Sequence, residues 1–383
     1  MEPLRISRRA LLQSAGAGLA TAALPAWAKQ AAPKLLVLIE LRGGNDGLNT
    51  VVPVDDGRYR DLRPRLALSG DAVTKFDSGL ALNAALAPWL PLWQAGEMAV
   101  IQGVGYPSPN LSHFRSIEIW DTAADSSQYL QTGWLTRAAQ APYFKPFGAD
   151  GVIFGAPDLG PLLGGARAVA MNEPERFTRQ ARLASADAPD ARGLLAHVLK
   201  VEADVVRAGA ELRSDASFKT EFPRGAFGNA VRAGAQVAAS GKVPVLRLTL
   251  SGFDTHQNQL QRQTQLLGEI AGGLLALKAA LQEVDLWQHT LVLTYSEFGR
   301  RPRENGSAGT DHGTASVMFA FGPQVRRGIY GEPPPLETLD GEGNLRHTVD
   351  FRAVYATVLE QWWQLDSAAA LGRRFAPLPF LRT

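Results

Sequence analysis

The chain has 383 residues, 45% of them hydrophobic and 20% charged, with a formal net charge of +2. This is the composition of an ordinary globular protein, and the near balance of charge excludes the basic footprint of a nucleic-acid binder. Cysteine is absent, which rules out disulfides, thiolate metal sites and cysteine nucleophiles.

The first residues read as a targeting segment. Ser7-Arg8-Arg9 precedes a mildly apolar run from Ala10 to Leu24, and Ala26-Trp27-Ala28 offers a small-x-small cleavage site. Paired arginines before such a run fit a twin-arginine export signal, with a dibasic Sec signal as the alternative. The run falls short of the about 20 residues that span a bilayer, so no stable membrane span is expected. Residues 1–28 are therefore expected to be removed, leaving a periplasmic or otherwise exported protein that has the twin-arginine translocase as a partner. Their loss takes Arg5, Arg8 and Arg9 away against Glu2 and leaves the remainder formally neutral.

Residues 29–383 are expected to form one α/β domain. Lys34 to Leu41 is a continuous apolar run, as in a strand buried on both faces of a parallel sheet. It breaks at Gly43-Gly44, where unusual backbone angles and close approach to a ligand become accessible. Asn83 to Gln94 reads as a short helix, and Met98 to Val104 as a second buried strand that turns into a helix near Ser112. Gly151 to Phe154 and Ala166 to Met171 are short strand candidates. The Ala-, Arg- and Glu-rich stretch from about 173 to 239 reads as a helical insertion. Strand signals return at Val245 to Leu250, Thr290 to Tyr295 and Ala315 to Phe321, with helices from Gln257 to Val284 and from Asp350 to Leu365. This alternation predicts a doubly wound, mostly parallel sheet with helices on both faces. Ligands of such sheets sit beyond the carboxyl ends of the strands.

Four motifs are expected at that edge. Asn45-Asp46 follows the first strand and offers an amide and a carboxylate oxygen; on local grounds alone it reads first as an Asn/Asp-Gly turn. Asp254-Thr255-His256 follows the strand Val245 to Leu250. Ser296-Glu297 closes Thr290 to Tyr295, where Glu297 either faces a cation or pairs with Arg300 or Arg301. Asp311-His312 lies in a long loop that also carries Arg300, Arg301 and Arg303, whose planar forks suit phosphate, sulfate or carboxylate. Loop glycines favour a mobile rim there. Imidazoles and carboxylates together make a site for a divalent cation. Ser112 at a helix start is the candidate nucleophile, with an ordinary N-cap as its alternative. His113 beside it reads as a ligand, a general acid or a surface residue.

The segments LRGGNDGLNTVVP, SHFRSIEIWDTA, GWLTR, GFDTHQNQ and SEFGRRPRENGSAGTDHG resemble the bacterial domain-of-unknown-function family 1501 of exported proteins. More distantly the chain is similar to the alkaline phosphatase and sulfatase superfamily. That resemblance implies an alkaline-phosphatase-like sheet with two metal positions bridging a nucleophile. It would place Asp46 as the first-strand metal carboxylate, Ser112 near the nucleophile, and Asp254, His256 and His312 around one metal. Ser296-Glu297 would occupy the place of an Asp-His pair, with Phe298 where a histidine is usual. The second position would then be oxygen-rich, favouring Mg²⁺, Mn²⁺ or Ca²⁺ over Zn²⁺.

Two functions are compatible with these residues. One is an exported metal-dependent hydrolase of phosphate or sulfate esters, with Ser112 as nucleophile, Arg300 and Arg303 balancing charge, and Asp46, Asp254, His256, Glu297, Asp311 and His312 around the metal. Its substrate would be a small anionic ester or an envelope polymer. The other is a non-catalytic cell-envelope binding or assembly protein that retains a degraded metal site.

Overall fold

The continuous apolar runs become the centre of a nine-stranded sheet. In the computed structural model, which describes residues 33–171, 212 and 214–382, its strands are β1 (Leu35–Arg42), β2 (Met98–Gly105), β3 (Gly151–Phe154), β4 (Ala168–Ala170), β5 (Val245–Ser251), β6 (Thr290–Tyr295), β7 (Ser316–Phe321), β8 (Gly328–Tyr330) and β9 (Val349–Asp350). They run in the order β8-β2-β7-β6-β1-β5-β3-β4, with β9 also on β2. The expected export segment, residues 1–28, lies outside the described residues, as does most of the helical insertion expected at 173–239.

β1 is flanked by β5 and β6, both parallel to it, so that Ile39 pairs with Leu248 on one side and Thr294 on the other. Its side chains alternate between two cores, as a pleated strand requires. Val37, Ile39 and Leu41 enter one core, and Leu36 and Leu38 the other. The first core is covered by α2 (Ala226–Ala238) and α3 (Gln259–Glu283), the second by α1 (His113–Thr122) and α4 (Phe351–Thr357). By length and composition α3 could cross a membrane. Here Leu266, Leu267, Ile270, Leu274, Leu277 and Leu281 are buried in the first core instead.

The expected elements differ from the observed ones in detail. Asn83 to Gln94 is a 3-10 turn (Ala84–Trp89) followed by one α-turn (Leu90–Gln94), because Pro88 and Pro91 cannot donate the bonds a longer helix needs. The last helix gives way to a π-turn over Val358–Trp362. A small antiparallel sheet of Val51–Val52, Leu80–Asn83 and Val73–Asp77 was not anticipated.

One strand sets the position of the site. β7 runs antiparallel to both β2 and β6. In an all-parallel sheet the loop before this strand would lie at the opposite edge. Reversal brings its start, and therefore Asp311-His312, to the edge where β1, β2, β5 and β6 end.

Candidate metal centre

Asp254 stands at the middle of this edge. β5 ends at Ser251, and the turn through Gly252-Phe253 is pinned by hydrogen bonds from both amides to the carbonyl of Arg42. Gly43 makes the approach feasible. Its φ is +121°, and a Cβ there would lie 2.3 Å from the amide nitrogen of Asp254. Any side chain at Gly43 would push the carboxylate out of place.

Three imidazoles converge on that carboxylate. His256 Nε2 lies 3.1 Å from Asp254 Oδ1, and His312 Nε2 also lies 3.1 Å from it. The two Nε2 atoms are 3.0 Å apart. His113 Nε2 approaches the other oxygen, Oδ2, at 3.4 Å. The rings pack together, with His113 edge-on to His312 at 4.5 Å between centroids. Buried Phe298 lies against both of those rings, at 4.9 and 4.6 Å. The phenylalanine thus serves as the apolar floor of the cluster.

Each imidazole is oriented from behind. His113 Nδ1 lies 2.8 Å from Glu297 Oε1, His312 Nδ1 2.8 Å from the carbonyl of Leu111, and His256 Nδ1 3.3 Å from Asp311 Oδ1. All three partners are acceptors, so the neutral rings carry their proton on Nδ1. The lone pairs are then on Nε2 and face one another across the Asp254 carboxylate. Three lone pairs and an anion at hydrogen-bond distance repel unless a cation or protons sit among them.

The spacing fits a cation. Bonds of about 2.0–2.1 Å give donor–donor edges of about 3.0–3.4 Å, and the triangle of His256, His312 and Asp254 has edges of 3.0, 3.1 and 3.1 Å. Carboxylate or carbonyl partners behind ligating histidines are the usual way such rings are held. The ligand atoms of His113, Asp254 and His312 likewise all lie within 4.8 Å of one another.

Electrostatics agree. Burial raises the Asp254 carboxyl, but the Arg300 guanidinium, by hydrogen bond and by charge, outweighs it and holds it at about 2. His113 is raised above the ordinary histidine value, first by its hydrogen bond to Glu297 and then by the Glu297 and Asp254 charges, with burial opposing. His312 is lowered by burial.

The remaining sequence candidates take other places. Glu297 is buried, with Oε1 also accepting the Gly43 amide at 2.9 Å, so it stands behind His113 and orients it. Asp311 stands likewise behind His256. Asp46 lies outside the cluster. Its carboxylate is buried against Arg63, at 2.5 and 3.0 Å, and also accepts from Gln259 and the Leu48 amide. Arg300 is buried and spent: its guanidinium binds the carbonyls of Gly43, Gly44, Phe253 and Thr310, and Asp254 Oδ1 at 2.6 Å. It ties three loops together and is buried out of a substrate's reach. Arg303 is exposed and makes no ion pair among the described residues. The expected mobile rim is instead knitted by Asn305, which donates to the His256 carbonyl at 2.9 Å and accepts from Ser307 and Gly309.

Ser112 is the N-cap of α1, exposed, with no capping hydrogen bond from its side chain. Ser116, one turn on, bonds the carbonyl of Glu297 and the hydroxyl of Tyr106, fixing this helix to the end of β6. That bond is what carries His113 into the cluster. In sequence His113 read as a ligand, a general acid or a surface residue, and the geometry favours the first.

The family model described as "Protein of unknown function (DUF1501)" matches residues 98–371. No curated protein matches the chain. Among solved structures, a protein of the alkaline phosphatase superfamily from Vibrio parahaemolyticus is 9% identical, covering 90% of this chain and 70% of that one with a TM-score of 0.42. The alkaline phosphatase of the Antarctic bacterium TAB5 is 13% identical over 78% of this chain and 94% of its own, with a TM-score of 0.36. The C-terminal periplasmic domain of EcEptC from Escherichia coli, in complex with Zn, is 9% identical over 76% and 73%, with a TM-score of 0.37. The likeness is one of general architecture and says nothing of the centre.

Proposed function

The chain belongs to the DUF1501 family, whose description assigns no activity, and from its centre we propose an exported metal-dependent hydrolase of phosphate or sulfate esters. The observation that carries this reading is the convergence of His113, His256 and His312 on Asp254, each ring held from behind in the donor tautomer. An imidazole-rich set with one carboxylate favours Zn²⁺ or a neighbouring transition ion over Mg²⁺ or Ca²⁺. One cation is proposed, because Asp46 and Glu297, which a second would need, are committed to Arg63 and His113. The Ser7-Arg8-Arg9 segment supports export.

A divalent cation here would supply Lewis-acid stabilisation of the ester's anionic oxygens and help ionise a nucleophile. The chain's own residues do the rest. Ser112 presents its hydroxyl at the positive end of α1, where unpaired amides stabilise developing negative charge. Glu297 and Asp311 keep the imidazoles from turning. Arg303, exposed and without an ion pair among the described residues, is the guanidinium assigned to an ester anion, Arg300 being enclosed.

To test the reading, the purified protein is loaded with Zn²⁺, Mn²⁺ or Mg²⁺ and offered aryl phosphates, phosphodiesters and aryl sulfates. Turnover of at least one class is expected, falling by about 10²-fold or more in Ser112→Ala. Full turnover in that variant removes Ser112 from the mechanism. A non-catalytic envelope protein with a structural cation is the second reading. It is favoured by one observation: among the described residues, no general base hydrogen-bonds the Ser112 hydroxyl. Inactivity toward all three ester classes at stoichiometric metal would select it.

A further inference from the structure

At the sheet edge opposite the centre, a cavity of about 250 Å³ opens where β1 and β6 begin. Lys34 immediately precedes β1, and His289 immediately precedes β6. With Arg382 they bring three basic side chains to the cavity wall, alongside the amides of Gln288, Gln324 and Gln361 and the indole of Trp362. Among the described residues, no carboxylate lines it.

We propose that this cavity is a binding site for a small oxyanion, a phosphate, sulfate or short carboxylate. Its volume falls below that of pockets for drug-sized ligands, about 300–1,000 Å³, which limits the occupant to a few heavy atoms. Charge selects the sign, since basic groups without acidic company attract an anion.

Two further features of the wall point the same way. Trp362 is 2% exposed, and its Nε1 donor has no partner. A buried donor of this kind is costly unless an acceptor meets it. Gln361 and Trp362 belong to the π-turn Val358–Trp362, closed by the Trp363 amide on the Val358 carbonyl at 3.1 Å. Single π-turns of this type are rare and recur at functional sites. The turn also presents the Trp362 carbonyl to Lys34 Nζ at 2.5 Å, with the ammonium 5.1 Å from the indole centroid. The lysine is thereby held at the wall, with protons left over for a ligand.

The test is site-specific. The indole N–H resonance of Trp362, identified by its loss in Trp362→Phe, is followed while inorganic phosphate, sulfate and acetate are titrated separately against chloride at constant ionic strength. A saturable shift with at least one oxyanion is expected, weakened about tenfold or more in Arg382→Gln and in Lys34→Met. The other indole resonances report whether each variant is folded. If Lys34→Met is not, exposed Arg382 decides alone. A Trp362 response no larger than that to chloride, or one that survives Arg382→Gln, overturns the proposal. Anion binding at the distant metal centre leaves Trp362 unmoved, so this result stands or falls apart from the hydrolase reading.

Discussion

Glu297 holds the Nδ1 proton of His113 at 2.8 Å, and that contact makes two opposed predictions for one substitution. Glu297→Gln keeps the shape but weakens the orienting bond, and cation affinity at pH 8 is expected to fall by about 10–100-fold, measured by competition with a chelating dye. The same change removes the main cause of the raised His113 value. Cations bind neutral imidazoles, so affinity is full at high pH and lost as pH falls. His113, raised above 6.5, takes its proton first, whereas His312, lowered by burial, keeps its lone pair to more acid pH. The apparent affinity of the native protein should therefore start to fall at a higher pH than that of Glu297→Gln. An unchanged midpoint would disconnect Glu297 from the centre. The role of Glu297 was not legible in the sequence, because a carboxylate after a strand looks the same whether it faces a cation or a histidine. Its partner lies 184 residues away.

The loop from Gly299 to Gly313 is tied to the strand ends by Arg300. Arg300→Ala would strip four buried carbonyls and Asp254 of their shared partner, and a loss of about 3 kcal/mol is expected in urea unfolding. Arg300→Lys should recover little, since an ammonium cannot reach partners set out for a planar fork. A loss under about 1 kcal/mol would mean that the fork is incidental. Gly43→Ala separates placement from stability: its Cβ would meet the Asp254 amide, so cation affinity should drop even at temperatures where the fold persists. At this scale the sequence was informative where elements are continuous. β1, β3, β5 and β6 could be read as apolar runs because each is buried on both faces. The reversal of β7 could not, since an apolar run carries no direction. Asp46 was misplaced for a related reason: Arg63, which neutralises it, sits in a stretch with no metal-like pattern.

Across the whole molecule, three strand ends, a helix start and a loop converge on one carboxylate while the two cores hold the sheet that spaces them. Leu293→Ala on β6, buried beneath this edge, should cost about 2–5 kcal/mol without abolishing cation binding in the protein that remains folded. Losing binding in proportion to the substitution rather than to the unfolded fraction would mean that the core tunes the site directly. The general architecture was legible in the alternation of strand and helix, and the site edge with it. The identity of the donors was only half legible, because Nε2 atoms meet through folding rather than through spacing.

The most direct measurement is elemental analysis of the purified protein, native and with His256 and His312 each replaced by Ala. One equivalent of a divalent transition ion is expected in the native protein, and well under one in either folded variant. Native protein with no bound ion after incubation with Zn²⁺ and Mn²⁺, or variants that keep a full equivalent, would contradict a centre built on Asp254.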